Sequence, residues 1–254
     1  MRYRLIPSLL LVLMATVVTT AGDGSRGYPE QQVGQAADRG TVVLLHGLGR
    51  THRSMRPVED ALVERGYRVV NLGYPSRTRT WPELVEVLAA AVRECCESRD
   101  APVHFVTHSM GGILLRAYLA GDEVDRLGRV VMLSPPNQGT RVVDRLPDEL
   151  LELVLGPASV RLGTDSSSVP LRLGPVDFEL GVITGDVSLN PLFSHWLPGD
   201  DDGAVSVESA WVEGTDDFLV VPYTHTFIMR RDEVILQVLA FLEWGRFLDA
   251  GDGR

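Results

Sequence analysis

The sequence predicts an α/β fold: a mainly parallel sheet of about six strands with helices on both faces and a small cap insertion. Three observations predict it. From Thr41 onward, short runs rich in β-branched residues alternate with longer helical patterns, the sign of parallel strands joined by crossover helices. One of these strands runs straight into a serine followed by Gly-Gly and a helix, at 103–112. The alternation is broken once, at 141–176, and no internal repeat or linker divides the rest.

The elements follow in order. Arg2 and Arg4 precede an apolar stretch from Leu5 to about Val18, and Thr19-Thr20-Ala21 sets small residues before Gly22. Residues 1–21 therefore read as a secretory signal, with an apolar run too short for a comfortable membrane span. An uncleaved signal holding the protein on the membrane is the alternative to export into a periplasm or medium. Residues 22–39 read as a flexible polar leader, and 40–248 as the folded domain. Thr41-Val42-Val43-Leu44-Leu45 is a strand buried on both faces. A helix at 57–65 ends at Gly66, and a strand follows at 67–72. Thr80-Trp81-Pro82-Glu83 signals a helix start, with a Thr cap, Pro in the first turn and an early acid; the helix runs to about Glu97. Strand 103–106, helix 111–120 and strand 130–133 come next. The cap at 141–176 carries a helix at 147–155 and a Ser/Gly-rich loop. Strands at 178–183 and 218–221 and a helix at 232–248 complete the pattern.

Composition excludes several chemistries. All 24 basic residues are arginine, so no lysine is available for a Schiff base, a P-loop phosphate contact or a general base. The formal net charge of −10 argues against nucleic acid as a partner. Without Arg2 and Arg4 the basic residues fall to 22 against 34 acidic, a net charge of −12. The two cysteines, Cys95 and Cys96, are adjacent in a helical pattern; neighbours rarely bridge, so they are expected as packing thiols.

The chemical signal is strongest at Val103-His104-Phe105-Val106-Thr107-His108-Ser109-Met110-Gly111-Gly112. A strand, a serine among small residues and an immediate helix form the context of a nucleophile elbow. Gly111 occupies the position two after Ser109; two before it stands Thr107 rather than Gly. The second signal, His46-Gly47-Leu48-Gly49-Arg50, follows the first strand. Its glycines let Leu48 present a backbone N–H which, with that of Met110, makes a candidate oxyanion hole. A serine nucleophile needs a histidine base and an orienting acid. Of six histidines, His46 reads as a brace of its loop, His104 as core, and His108 as facing away from Ser109. His225 falls between the last strand and last helix, at the carboxyl edge where sites of open α/β sheets collect. It is the expected base, with His195 the runner-up. Asp202 is the expected acid because Gly203 permits a tight turn that points it inward; Asp186 is the alternative. A metal reading of Asp200-Asp201-Asp202 lacks other oxygen ligands at suitable spacing, and no cofactor is expected.

His46-Gly47-Leu48-Gly49, the 107–112 stretch, Asp202-Gly203 and His225-Thr226-Phe227 resemble the α/β-hydrolase lipases and esterases, including bacterial triacylglycerol lipases and the lipase-like domain of GPI inositol-deacylases. The resemblance covers roughly residues 40–247. It implies an α/β-hydrolase fold with a triad of Ser109, Asp202 and His225 and an oxyanion hole at Leu48 and Met110; the family's first antiparallel strands are missing before Thr41, a departure that suggests a minimal six-stranded core. It also implies hydrolysis of carboxylic esters, lipid or acyl, through an acyl-enzyme. An acyltransferase with the same triad and a non-catalytic binding protein on this scaffold are the alternatives. Leu150, Leu151, Leu153, Val154 and Leu155 form a candidate apolar lid that meets a membrane or micelle transiently; a purely structural cap is the other reading. A monomer is expected.

Overall fold

The computed structural model describes residues 39–96 and 101–248. The expected signal at 1–21 and nearly all of the leader lie outside the described residues. The strands are β1 (Thr41–Leu45), β2 (Arg68–Leu72), β3 (Val103–His108), β4 (Leu127–Leu133), β5 (Leu180–Gly185) and β6 (Asp217–Val221). The α-helices are α1 (Arg56–Glu64), α2 (Trp81–Cys96), α3 (Met110–Leu119), α4 (Arg141–Asp144), α5 (Asp148–Leu155), α6 (Val169–Arg172), α7 (Pro191–Trp196), α8 (Val207–Ala210) and α9 (Asp232–Trp244). The strands form one sheet in the order β2-β1-β3-β4-β5-β6, every neighbouring pair parallel.

The pleat divides each strand's side chains between two cores. Val43, Leu45, Phe105, Met132 and Val182 pack with α2 and α3, while Val42, Leu44, Val106, Val131 and Ile183 pack with α1 and α9. Central strands are therefore buried on both faces, which is why β1 reads as an unbroken apolar run. The edge strands β2 and β6 are only partly covered and carry Asn71 and Asp217.

Helix α2 begins as its signal requires. The Glu83 carboxylate accepts from the Thr80 N–H and the Thr80 hydroxyl, both at 2.8 Å, and these bonds with Arg79 hold its pKa near about 2. Strand β3 runs to His108, past the expected end, because the Ser109 N–H still donates to the β4 carbonyl of Leu133 at 2.9 Å. Strand β5 starts two residues late: Phe178 joins the core without pairing, so its hydrophobicity overstates the strand. The run after Asp202, read as strand-like, makes a single antiparallel bridge from Asp201 to Ser206 and then turns into α8. Helices α7 and α8 span six and four residues, too few for a 3.6-residue period to show.

The cysteines are a correction. Cys95 and Cys96 are not free thiols but a disulfide at the end of α2. Both are buried beside Val92, and Arg68 donates to the Cys95 carbonyl, so burial and a fixed backbone hold the two sulfurs in one corner.

The cap holds α4, α5, a short 3-10 turn at Ser159–Arg161 and α6. Ala158, Leu162 and Val176 join it to the core beneath, and polar contacts add to that. The buried Arg116 of α3 donates to the Asn137 carbonyl and side chain at 3.1 and 3.0 Å and to the Gly174 carbonyl at 2.5 Å. Burial without a carboxylate partner lowers its pKa to about 10. Trp81 at the start of α2 donates to the Ala158 carbonyl at 3.0 Å.

Candidate active site

Strands β1 and β3 are neighbours whose onward connections leave in opposite directions, β1 to the edge strand β2 and β3 to β4. This topological switch point opens a crevice beyond their carboxyl ends. Ser109 leaves β3 there, and the loop 46–50 leaves β1.

Ser109 is the N-cap of α3, yet it does not cap. Its φ of 54° and ψ of −126° lie outside the extended conformation of capping residues, and its side chain makes no cap hydrogen bond. A non-glycine residue held there stores about 1–3 kcal/mol of strain. The strain is sustained by close packing behind the turn: a Cβ on Gly111 would lie 2.7 Å from the Leu45 carbonyl oxygen and 2.9 Å from that of His46. Thr107, which stands where the elbow pattern has a glycine, is accommodated in full burial.

The freed Ser109 hydroxyl meets His225, with Oγ 2.9 Å from Nε2. On the other side of the ring, Nδ1 lies 2.8 Å from Asp202 Oδ2. The carboxylate accepts at Nδ1, so that nitrogen carries the proton and Nε2 is left to accept from the serine. Asp202 is itself oriented. Its Oδ1 accepts from the N–H groups of Ala204 at 3.0 Å and Val205 at 2.8 Å, and its carbonyl accepts from the His225 N–H at 2.9 Å. Gly203 makes this possible with a φ of 96°, a left-handed conformation within the turn. Asp186 is exposed and His195 is an exposed residue of α7, and neither is bonded to Ser109 or His225.

Met110 follows the serine as the first residue of α3, and Gly47, next to Leu48, lies against it from the other loop, where an added Cβ would stand 3.1 Å from Ser109 Cβ. The Leu48 loop is braced by His46, which is fully buried and stacked on Tyr74 at 4.1 Å between ring centroids. His46 Nδ1–H donates to the Gly47 carbonyl at 2.8 Å, and the Tyr74 hydroxyl donates to the His46 carbonyl. Burial lowers the His46 pKa to about 4, so the imidazole is neutral.

His108 departs from expectation. Its ring does not simply face away: it lies 4.9 Å from the His225 ring and shares a 3.0 Å hydrogen bond with the His225 carbonyl. That bond requires an N–H at His108 Nε2. Burial, with His225 and Arg50 nearby, holds His108 well below the usual histidine pKa, which keeps it neutral. The adjacency of His108 to the serine was visible in sequence; its contact with a loop 117 residues away was not. Among the described residues no group of three or more His, Cys, Asp or Glu side chains is placed to hold a metal.

A serine freed from its helix by a strained elbow, at the switch point of a parallel α/β sheet and bonded to a histidine–aspartate pair, defines a hydrolase-type scaffold. Residues 42–248 match the model of the alpha/beta hydrolase family, and the chain belongs to it. Among solved structures, the chain is similar to the mature form of the Bacillus licheniformis lipase BlEst2, with 17% identity, a TM-score of 0.63, and 86% of this chain and 96% of that one covered. It is also similar to the phospholipase PlaB from Legionella pneumophila, with 17% identity and a TM-score of 0.64; 82% of this chain aligns, but it spans only 60% of that protein. A metagenomic carboxyl esterase, MGS0156, gives 20% identity and a TM-score of 0.58 over 82% of this chain and 70% of that one. No curated protein sequence matches the chain. At such identities the neighbours share a fold.

Proposed function

We propose that the protein is a serine hydrolase of carboxylic esters, acting on lipid or acyl esters through an acyl-enzyme. The observation that carries this is the unbroken chain from Asp202 Oδ2 through both ring nitrogens of His225 to Ser109 Oγ, at 2.8 and 2.9 Å. Ser109 Oγ attacks the ester carbonyl as its proton passes to His225 Nε2, and Asp202 stabilises the imidazolium. The oxyanion develops against the N–H groups of Leu48 and Met110, the latter reinforced by the amino-terminal dipole of α3. Collapse expels the alcohol with the proton from Nε2. Water, activated by the same nitrogen, then releases the acid and restores the serine.

The printed names of the similar structures, a lipase, a phospholipase and a carboxyl esterase, support an ester substrate. The cap supports an apolar one: Leu155 of α5 reaches the Leu48 loop, 3.8 Å from where a Cβ on Gly49 would stand, and Leu153 is 79% exposed nearby in the same helix. Export belongs to the same reading, supported by the pattern at 1–21 and by a disulfide, which persists in oxidising compartments.

The deciding test is Ser109→Ala assayed on p-nitrophenyl esters, beside fluorophosphonate labelling of the unaltered protein. Turnover should fall by ~10^4 or more with the fold intact by circular dichroism, and the label should sit on Ser109. Undiminished hydrolysis in the variant, or a label elsewhere, would sink the assignment.

A further inference from the structure

Beside the Ser109–His225–Asp202 chain, the rim of the site carries positive charge that the described structure leaves unneutralised. Arg50 lies two residues after Leu48, and its N–H closes the loop onto the Gly47 carbonyl at 3.2 Å. Arg230 ends the 3-10 turn Ile228–Arg230, five residues past His225. That turn packs against the 3-10 turn His52–Met55, which begins just after Arg50. The loop carrying Leu48 and the loop carrying His225 thus adjoin, and each bears an arginine at this junction.

Arg50 is part-buried, and its loop lies against the elbow: a Cβ on Gly47, whose carbonyl accepts from the Arg50 N–H, would stand 3.1 Å from Ser109 Cβ. Burial first, and then the charge of Arg230, lowers the Arg50 pKa from its ordinary value. Among the described residues no carboxylate forms an ion pair with Arg50 or Arg230; Arg230 instead leans on the Phe227 ring at 5.8 Å. Arg77 borders the same loop, its Cδ 3.9 Å from where a Cβ on Gly49 would stand. In a chain with ten more acidic than basic residues, this gathering of unpaired arginines is no consequence of composition. Two neighbouring cations repel and lose hydration, and an anion between them relieves both penalties. Guanidinium forks suit planar carboxylate and phosphate oxygens alike.

We infer that Arg50 and Arg230 form an anion subsite beside Ser109, and that the preferred ester carries a carboxylate or phosphate group near its scissile bond. The inference rests on the ester-hydrolase reading above. Two matched pairs of substrates separate its sources: mono-p-nitrophenyl succinate against p-nitrophenyl butyrate places the anion on the acyl side, and phosphatidic acid against diacylglycerol in mixed micelles places it on the alcohol side. In at least one pair kcat/KM should favour the anionic member. Arg230→Met should reduce that preference roughly tenfold or more, and Arg230→Lys should retain most of it. Added salt should erode the preference without slowing the neutral member to the same degree. Arg230 is exposed, so the variants test charge rather than folding. Hydrolysis of the neutral esters with no anionic preference overturns the subsite alone, as does a preference that survives both Arg230→Met and Arg50→Met. Hydrolysis of none of the four, with Ser109 unlabelled by a fluorophosphonate, overturns the hydrolase reading and the subsite with it.

Discussion

In the elbow at 107–112 every residue but Ser109 is buried, and backbone groups hold the turn: Ser109 N–H on the Leu133 carbonyl, Gly112 N–H on the Ser109 carbonyl, and Gly111 against the end of β1. In the cap at 141–176, by contrast, only an inner face joins the core, through Ala158, Leu162 and Val176, while the short helices present Leu153 and Leu171 to solvent. The first region cannot change without disturbing two strands and a helix. The second can change its outer face and touch little else. Under the proposed function, with Ser109 in the first region and the apolar contacts to an ester in the second, the choice of ester can alter without loss of the chemistry.

The contrast can be tested at decreasing scale. If the chain of hydrogen bonds is the reacting unit, Asp202→Asn should lower ester turnover by ~10^3–10^4, while Asp186→Asn should leave it within about twofold. Steady-state kinetics on one soluble ester decides between them, and equal losses would remove Asp202 from its role. Next, Gly111→Ala forces a Cβ to within 3 Å of two carbonyl oxygens and should cost about 3 kcal/mol in urea unfolding. A neutral result there would mean that the elbow yields more readily than its packing implies.

The pH dependence of stability probes the brace beneath the same loop. His46 has a folded pKa of about 4 against an ordinary 6.5, so between these values the unfolded chain binds the extra proton. Stability is complete above pH 6.5 and falls as the pH drops toward 4, by roughly 3 kcal/mol for this group. The buried, neutral His108 adds in the same direction. Melting temperature measured across this window should decline, and His46→Gln should flatten the slope. The smallest effect belongs to the cap: Leu153→Ser should shift unfolding by less than about 0.5 kcal/mol. Its rate on a soluble short-chain ester should hold, while the rate on a micellar long-chain ester should drop several-fold. Equal rates on both would make the cap purely structural.

Much of this was legible in the chain. The fold class followed from buried central strands, whose two-sided burial makes them uniformly apolar, and the elbow followed from a strand, a serine and two glycines in one short segment. Asp202 was picked out by Gly203, whose positive φ a tight turn needs. Other features were invisible for a common reason. The His108 bond to the His225 loop, the grip of Arg116 on Asn137 and Gly174, and the packing of the turn after Arg50 on the turn ending at Arg230 depend on where distant backbone segments come to rest. Helices as short as α8 leave no periodic trace.

Local pattern alone thus determined which residues can form strands, which serine must sit on a strained turn, and which chemistries a lysine-free chain excludes, because backbone preference and side-chain chemistry act over a few residues. Tertiary structure decided which histidine meets Ser109 and which aspartate meets that histidine, that His108 is buried against His225, and that the turn after Arg50 packs on the turn ending at Arg230. Those outcomes depend on hydrogen bonds and charge contacts only a few ångströms long between residues far apart in the chain, and only the packed sheet brings their partners within that reach.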